Sequence, residues 1–274
     1  MCPACGSLVG VNDETCYNCG RRNPSLWGFA PLLRRLGQDL GFAQIVMVGS
    51  IGLYLASLAA TDDPFAGRGM LSILSPDVVA LILFGGSGAY PVFELGRWWT
   101  VLSAGWLHGS LLHILFNMLW VRDLAPATAE MYGAGRMMII YTVSGVTGFV
   151  LSSVAGLLLP GVPFIGGGQL TVGASAPIFG LLGALVYYGS RSGSSLIGGT
   201  ALRYALILGV FGLFMPGIDN MAHLGGFGGG WLAGRWLDPM TRERVDHLIA
   251  GLACLALTGA AVAVSLVTGL ALLR

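Results

Sequence analysis

The chain has 274 residues, 55% of them hydrophobic and only 10% charged, with a mean hydropathy of +0.77. Water-soluble domains carry about 25% charged residues, so a fold solvated by water alone is not expected. A net charge of +1 gives no electrostatic reason for a nucleic-acid partner.

In chain order, the first element is CPACGSLVGVNDETCYNCG, residues 2–20. Cys2 and Cys5 form one CxxC, and Cys16 and Cys19 form a second. Four thiolates in two such pairs suit tetrahedral zinc, in the layout of a zinc ribbon over residues 1–22. Two disulfides are the competing reading; a cytoplasmic location, argued below, favours the metal. Cys254 lies alone in a late apolar run and reads as an inert packing residue. The first twenty residues lack a basic stretch followed by an apolar core, so no cleavable signal peptide is expected.

Residues 23–40 mix Arg34 and Arg35 with Leu, Trp and Phe. They read as a basic amphipathic linker at the membrane surface, or as a plain tether. A spanning helix needs about 20 predominantly apolar residues. Seven stretches qualify as candidates: 41–60, 111–129, 136–159, 174–190, 201–217, 221–237 and 248–272. The sixth is short and glycine-rich, and hydropathy ranks it weakest. The long loop 61–107 contains MLSILSPDVVALILF, broken by Pro76 and Asp77, so it is expected to be interfacial or partly re-entrant. The 44 glycines would each weaken a helix in water by about 1 kcal/mol against Ala. In lipid, small residues instead let helix backbones approach closely.

All basic residues are Arg, which we attribute to coding bias. Their placement sets orientation. With the N-terminus inside, the inner segments hold Arg21, Arg22, Arg34, Arg35, Arg122, Arg136, Arg191, Arg203, Arg235, Arg242 and Arg244, whereas the outer ones hold Arg68, Arg97 and Arg274. A cytoplasmic N-terminus and an extracytoplasmic C-terminus are therefore expected, in a multi-pass protein of a bacterial cytoplasmic membrane.

Ionisable residues inside apolar segments are functional candidates. In LHGSLLHILFNML, His113 and Asn117 are four apart and share one helix face. Both can donate hydrogen bonds to a developing oxyanion, or they can tie neighbouring helices together. TVGASAPIFG places Ser175 among Gly173, Ala174 and Ala176 at the head of the fourth span. DNMAHLGGFGGGWLAG carries His223, followed by the GxxxG pair Gly226 and Gly230. A helix so bare can lie against another at close backbone distance, which would let His223 reach Ser175 and act as its base. The nearest carboxylate is Asp219, four residues before His223; it is read as a loop residue, which leaves a Ser–His dyad, with Asp219 as a triad member the alternative reading. Topology puts all four polar residues in the outer leaflet.

HGSLLHILFNM, GASAPIFGLLGA and AHLGGFGGG, with EMYGAGR and GRWWT as supporting matches, resemble the rhomboid intramembrane serine proteases over residues 41–237. The resemblance implies Ser175 as nucleophile and His223 as general base. It implies an oxyanion hole of His113, Asn117 and the Ser175 backbone N–H, with Phe179 packed on the catalytic histidine. Gly173, Gly226 and Gly230 support the site, and catalysis needs no cofactor. The fold implied is an all-α polytopic membrane protein. It comprises a zinc ribbon, a six-helix core and, over residues 238–274, a cytoplasmic turn with a seventh transmembrane helix.

The partners implied are transmembrane protein substrates, usually single-pass, cut near the outer surface. Three positions depart from the family pattern: Ala176 stands for Gly, Phe179 for the Tyr of some members, and Thr100 follows Trp99 where Arg is usual. The alternative is an inactive relative that binds unstable transmembrane helices without cutting them. For the ribbon three roles stay open: binding a cytoplasmic partner, sensing metal, or capping the N-terminus.

Overall fold

The structure, a computed structural model, describes residues 1–10, 13–24, 37–65 and 73–272. Residues 25–36, which hold most of the expected amphipathic linker, lie outside the described residues, as do Arg68 and Arg274.

The described chain is helical, with β-pairing confined to isolated bridges. The helices are α1 (Phe42–Ala59), α2 (Val78–Phe84), α3 (Thr100–Ser103), α4 (Leu111–Tyr132), α5 (Ala134–Leu158), α6 (Ser175–Ser192), α7 (Ser195–Phe214), α8 (Asn220–Trp236) and α9 (Val245–Leu272). The seven long ones coincide with the seven expected stretches. By length and apolar composition, four can cross a membrane: α1, α5, α7 and α9 up to Ala271. The remaining three, α4, α6 and α8, carry the polar motifs. Helix α8, weakest in the sequence, has 17 residues.

Two boundaries moved for physical reasons. Helix α7 starts at Ser195, six residues before the expected 201, with the Ser194 hydroxyl accepting from the Ile197 N–H. Gly198 lies against the Gly189 backbone of α6, where a Cβ on Gly189 would come 2.4 Å from the Gly198 Cα. In the first loop Pro76 and Asp77 start a helix instead of interrupting one. The Asp77 carboxylate accepts the Ala80 N–H at 2.7 Å and caps α2.

Helix α6 is the centre of the bundle, in contact with α4, α5, α7 and α8. Its face from Ala176 to Leu185 is buried throughout. Helix α8 crosses it through glycine. A Cβ on Gly226 would overlap the Ala176 carbonyl, and one on Gly230 would overlap the Gly180 backbone. With no side chain between them the two helices meet backbone to backbone, as small-residue motifs permit in lipid. On the opposite flank of α8, the Thr147 hydroxyl of α5 donates to the Gly225 carbonyl at 3.0 Å.

The N-terminal segment is two equal knuckles. Gly6 and Gly20, with φ near +72° and +70°, donate their N–H to the Cys2 and Cys16 carbonyls at 2.8 and 2.9 Å. An L side chain is disfavoured at that φ, so each CxxC is followed by glycine.

Candidate active site

Ser175 is the first residue of α6. The chain reaches it through Gly173, whose φ of +130° suits glycine alone. The Gly173 N–H is tied to the Ala104 carbonyl at 3.0 Å. The first N–H groups of a helix have no partner within it, and they form the positive end of its dipole. The backbone at Ser175 is thus suited to a negative charge.

His223 lies in the first turn of α8, four residues after the capping residue Asp219. Its Nε2 is 2.9 Å from Ser175 Oγ. The Phe179 ring, one turn after the serine, stacks on the imidazole with centroids 4.2 Å apart and planes at 15°. His223 Nδ1 is buried and meets no hydrogen-bond partner among the described residues. The Asp219 carboxylate is engaged elsewhere: one oxygen accepts the Ala222 N–H at 2.9 Å and the other accepts the Ser152 hydroxyl. It lies in the loop just before α8, with extended backbone, and caps that helix.

The third helix in contact is α4. Its N-cap Ser110 accepts the His113 N–H at 3.3 Å. His113 Nδ1 accepts the Gly109 N–H at 3.3 Å, so the neutral ring carries its proton on Nε2. That nitrogen points at Gly173: a Cβ there would lie 2.6 Å from His113 Nε2 and 3.5 Å from Asn117 Nδ2. Asn117 Nδ2 is buried and makes no hydrogen bond among the described residues. Two N–H donors therefore converge beside Ser175 on a space that only glycine leaves open.

Of the sequence-level candidates, Ser175, His223, His113, Asn117, Gly173 and Phe179 meet at one point, and Gly226 and Gly230 form the crossing beneath it. Three further contributors lie around them: His108, which the sequence marks only as a histidine beside an apolar segment, and Ser152 and the Ala104 carbonyl, which it does not mark. His108 is fully buried and sets its ring edge-on to His113 with centroids 5.1 Å apart. Ser152 links Asp219 to the Gly168 N–H, which donates to its hydroxyl at 2.9 Å. The Ala104 carbonyl holds Gly173.

A cavity of about 840 Å³ opens over these residues. It runs between α4 and α7, lined there by Phe116, Trp120, Ile207 and Phe211. Trp120 meets Tyr204 edge-on at 5.2 Å across the same gap.

At the N-terminus, Sγ atoms of Cys2, Cys5, Cys16 and Cys19 lie within 4.8 Å of one another. Cys2 and Cys19 are 3.7 Å apart, and Cys5 and Cys16 are 3.6 Å apart. Tetrahedral zinc with Zn–S near 2.3 Å requires an S···S edge of about 3.8 Å, so this cluster can hold a metal ion. Cys5 Sγ is 3.3 Å from Ser7 Oγ. Hydrogen bonding from the Ser7 hydroxyl and backbone lowers its thiol to about 6.

Residues 95–239, a little over half the chain, match the Rhomboid domain model. The Rhomboid protease GluP of Bacillus subtilis (strain 168) is 33% identical over 162 residues, covering 58% of this chain and 30% of GluP. RHOMBOID-like protein 4 of Arabidopsis thaliana is 34% identical over 167 residues, 59% of this chain and 40% of that protein. Rhomboid-like protease 2 of Toxoplasma gondii is 30% identical over 202 residues, 71% of this chain and 64% of that protein. The chain spans less than two thirds of the length of each of these relatives.

Proposed function

The chain belongs to the rhomboid family, and from that premise we propose that it is an intramembrane serine endopeptidase working by a Ser175–His223 dyad. The observation that carries this reading is the 2.9 Å contact between Ser175 Oγ and His223 Nε2. A serine hydroxyl becomes nucleophilic when a base at hydrogen-bond distance takes its proton.

In the first step Ser175 Oγ attacks a peptide carbonyl carbon while His223 Nε2 accepts the hydroxyl proton. The carbonyl oxygen becomes an oxyanion beside Gly173, where His113 Nε2–H, Asn117 Nδ2–H and the Ser175 backbone N–H can donate to it. The imidazolium then protonates the leaving amine as the C–N bond breaks, which leaves an acyl-enzyme. Water, deprotonated by His223, attacks the ester, and the proton returns to Ser175 Oγ as the carboxylate product leaves.

The groove between α4 and α7 fits an extended or unwound segment arriving from the bilayer, so the substrate class is a transmembrane segment of another membrane protein. His113, Ser175 and His223 all lie in the first turn of their helices, which supports a site near one surface. The arginine bias favours the extracytoplasmic one, with the N-terminal ribbon inside.

For the ribbon we propose a structural zinc ion on the four Cys thiolates, which would lock the two knuckles to each other. The test of the enzyme reading is cleavage of a purified single-span substrate with a helix-weakening sequence. Parent protein should cut it, while Ser175→Ala and His223→Ala should not. Equal cutting by all three sinks the dyad. Tight substrate capture by the parent without cutting would favour a binding-only relative.

A further inference from the structure

Residues 85–106 lie between two partners. On one side they pair with the segment that ends in Ser175. The Ser87 N–H donates to the Thr171 carbonyl at 3.0 Å, and the Thr171 N–H to the Ser87 carbonyl at 2.7 Å. The Ala89 N–H donates to the Gly168 carbonyl at 2.9 Å, and Gly173 reaches Ala104 as described.

On the other side they pack on the last helix, α9, and their side-chain hydrogen bonds to it among the described residues converge on Ser265. Arg97 Nη2 donates to the Ser265 carbonyl at 2.7 Å and Nη1 donates to the Ile82 carbonyl at 2.5 Å. Trp99 Nε1 donates to Ser265 Oγ at 3.2 Å. The Ser103 hydroxyl lies 3.4 Å from Ser265 Oγ and donates to the Gly85 carbonyl at 2.8 Å. Thr100 completes the path by donating to Ser87 Oγ at 3.3 Å.

Ser87, Thr100, Ser103 and Ser265 are fully buried and Arg97 is 2% exposed. No carboxylate pairs with Arg97 among the described residues. A buried charge held by two carbonyl oxygens and the Trp99 ring, 6.0 Å away, with no counter-ion is costly, and an apolar residue there would pack without that cost. Gly85, at φ +105°, lets α9 in: a Cβ on it would come 2.5 Å from both the Ser103 and the Ser265 hydroxyls. The polar path is therefore built, not incidental.

We propose that α9 is a positioning element of the active site, with Ser265 fixing Arg97, Trp99 and Ser103, and through them the backbone that leads into Ser175. None of these four residues touches the reacting atoms; they are positioning residues. The effect on catalysis rests on the protease reading, whereas the effect on the loop does not.

The test takes the full chain in detergent or bilayer and compares parent, Ser265→Ala, Arg97→Lys and, as a control on the same helix, Thr258→Ala. Two readouts are used. Amide exchange at Thr171 and Gly173 should speed up by about tenfold or more in Ser265→Ala and Arg97→Lys and stay at parental rates in Thr258→Ala. Cleavage by Ser265→Ala should fall in kcat by about tenfold with KM near the parental value, since misplaced groups lose rate more than binding. Unchanged exchange in Ser265→Ala overturns the proposal, and so does a parental kcat. Equal losses in Thr258→Ala also overturn it, because they would mean general destabilisation. If the parent cuts no better than Ser175→Ala, the enzyme reading fails, and the exchange rates still decide whether α9 holds the loop.

Discussion

The Phe179 ring lies nearly parallel to the His223 imidazole, 4.2 Å away and tilted by 15°. One turn of α6 thus supplies both the hydroxyl that His223 meets and the surface that sets the plane of its ring. Removing that surface frees the imidazole to rotate while leaving all its atoms in place. Phe179→Leu should therefore lower kcat by about tenfold with KM near parental. Phe179→Tyr, which keeps the ring, should stay within about twofold. Steady-state cleavage kinetics separate the two outcomes, and an equal loss in both variants would deny the stacking role.

Asn117 Nδ2 and His113 Nε2 face the same space beside Gly173. If they hold the oxyanion, each is needed only once charge develops there. Asn117→Ala should then cost about 2.7–4 kcal/mol of transition-state stabilisation, roughly 10²–10³ in kcat, with little change in KM. A variant that binds substrate poorly but turns it over normally would assign Asn117 to binding instead.

Asp219 caps α8 and accepts from Ser152, and it does not reach His223 Nδ1. Asn can also cap a helix, so Asp219→Asn should retain kcat/KM within a few-fold of parental. Asp219→Ala should lose about 1 kcal/mol of stability with the cap, read as a lower thermal midpoint. A loss near 10⁴-fold in Asp219→Asn, of the size seen when a triad aspartate is replaced, would instead make Asp219 a catalytic partner.

At Gly226 an added methyl overlaps the Ala176 carbonyl. Helices α6 and α8 must then separate, and with them Ser175 and His223. Gly226→Val should cost about 1–3 kcal/mol through overpacking, and a shift near 1 Å should cost about 10²-fold in rate. Gly228, where an added Cβ meets no atom within 4 Å, is the control: Gly228→Ala should cut as the parent does.

The cysteine cluster predicts one zinc per chain by metal analysis, lost in Cys2→Ser with Cys16→Ser and on exhaustive chelation. Cleavage by the chelated protein tells whether the ribbon regulates the membrane domain or stands apart from it. A chain that holds no metal at neutral pH when purified with zinc present removes the zinc assignment.

Much of the site was legible because its signals are local. His113 and Asn117 fall on one helix face by spacing alone, and the bareness of Gly226 and Gly230 announces a close crossing. Helix α7 starts six residues before the hydropathic stretch 201–217, because the Ser194 cap and the Gly198–Gly189 approach extend it through residues of low hydropathy. In sequence Asp77 reads as an interruption, since a cap and a break look the same without the backbone. Ser152 and Asp219 are 67 residues apart, and Arg97 and Ser265 are 168 apart. Nothing in periodicity or spacing joins them.

The sequence by itself determined a polytopic helical chain, the identity of the polar residues it carries into lipid, and four cysteines in ligand spacing. Those follow from hydropathy, helical period and side-chain chemistry, which act over a few residues. Only the tertiary structure decided that His223 meets Ser175, that Asp219 turns away from both, and that the last helix grips the first loop through Ser265. Such partnerships depend on how far one helix backbone can approach another, a property of both surfaces together that neither segment encodes alone.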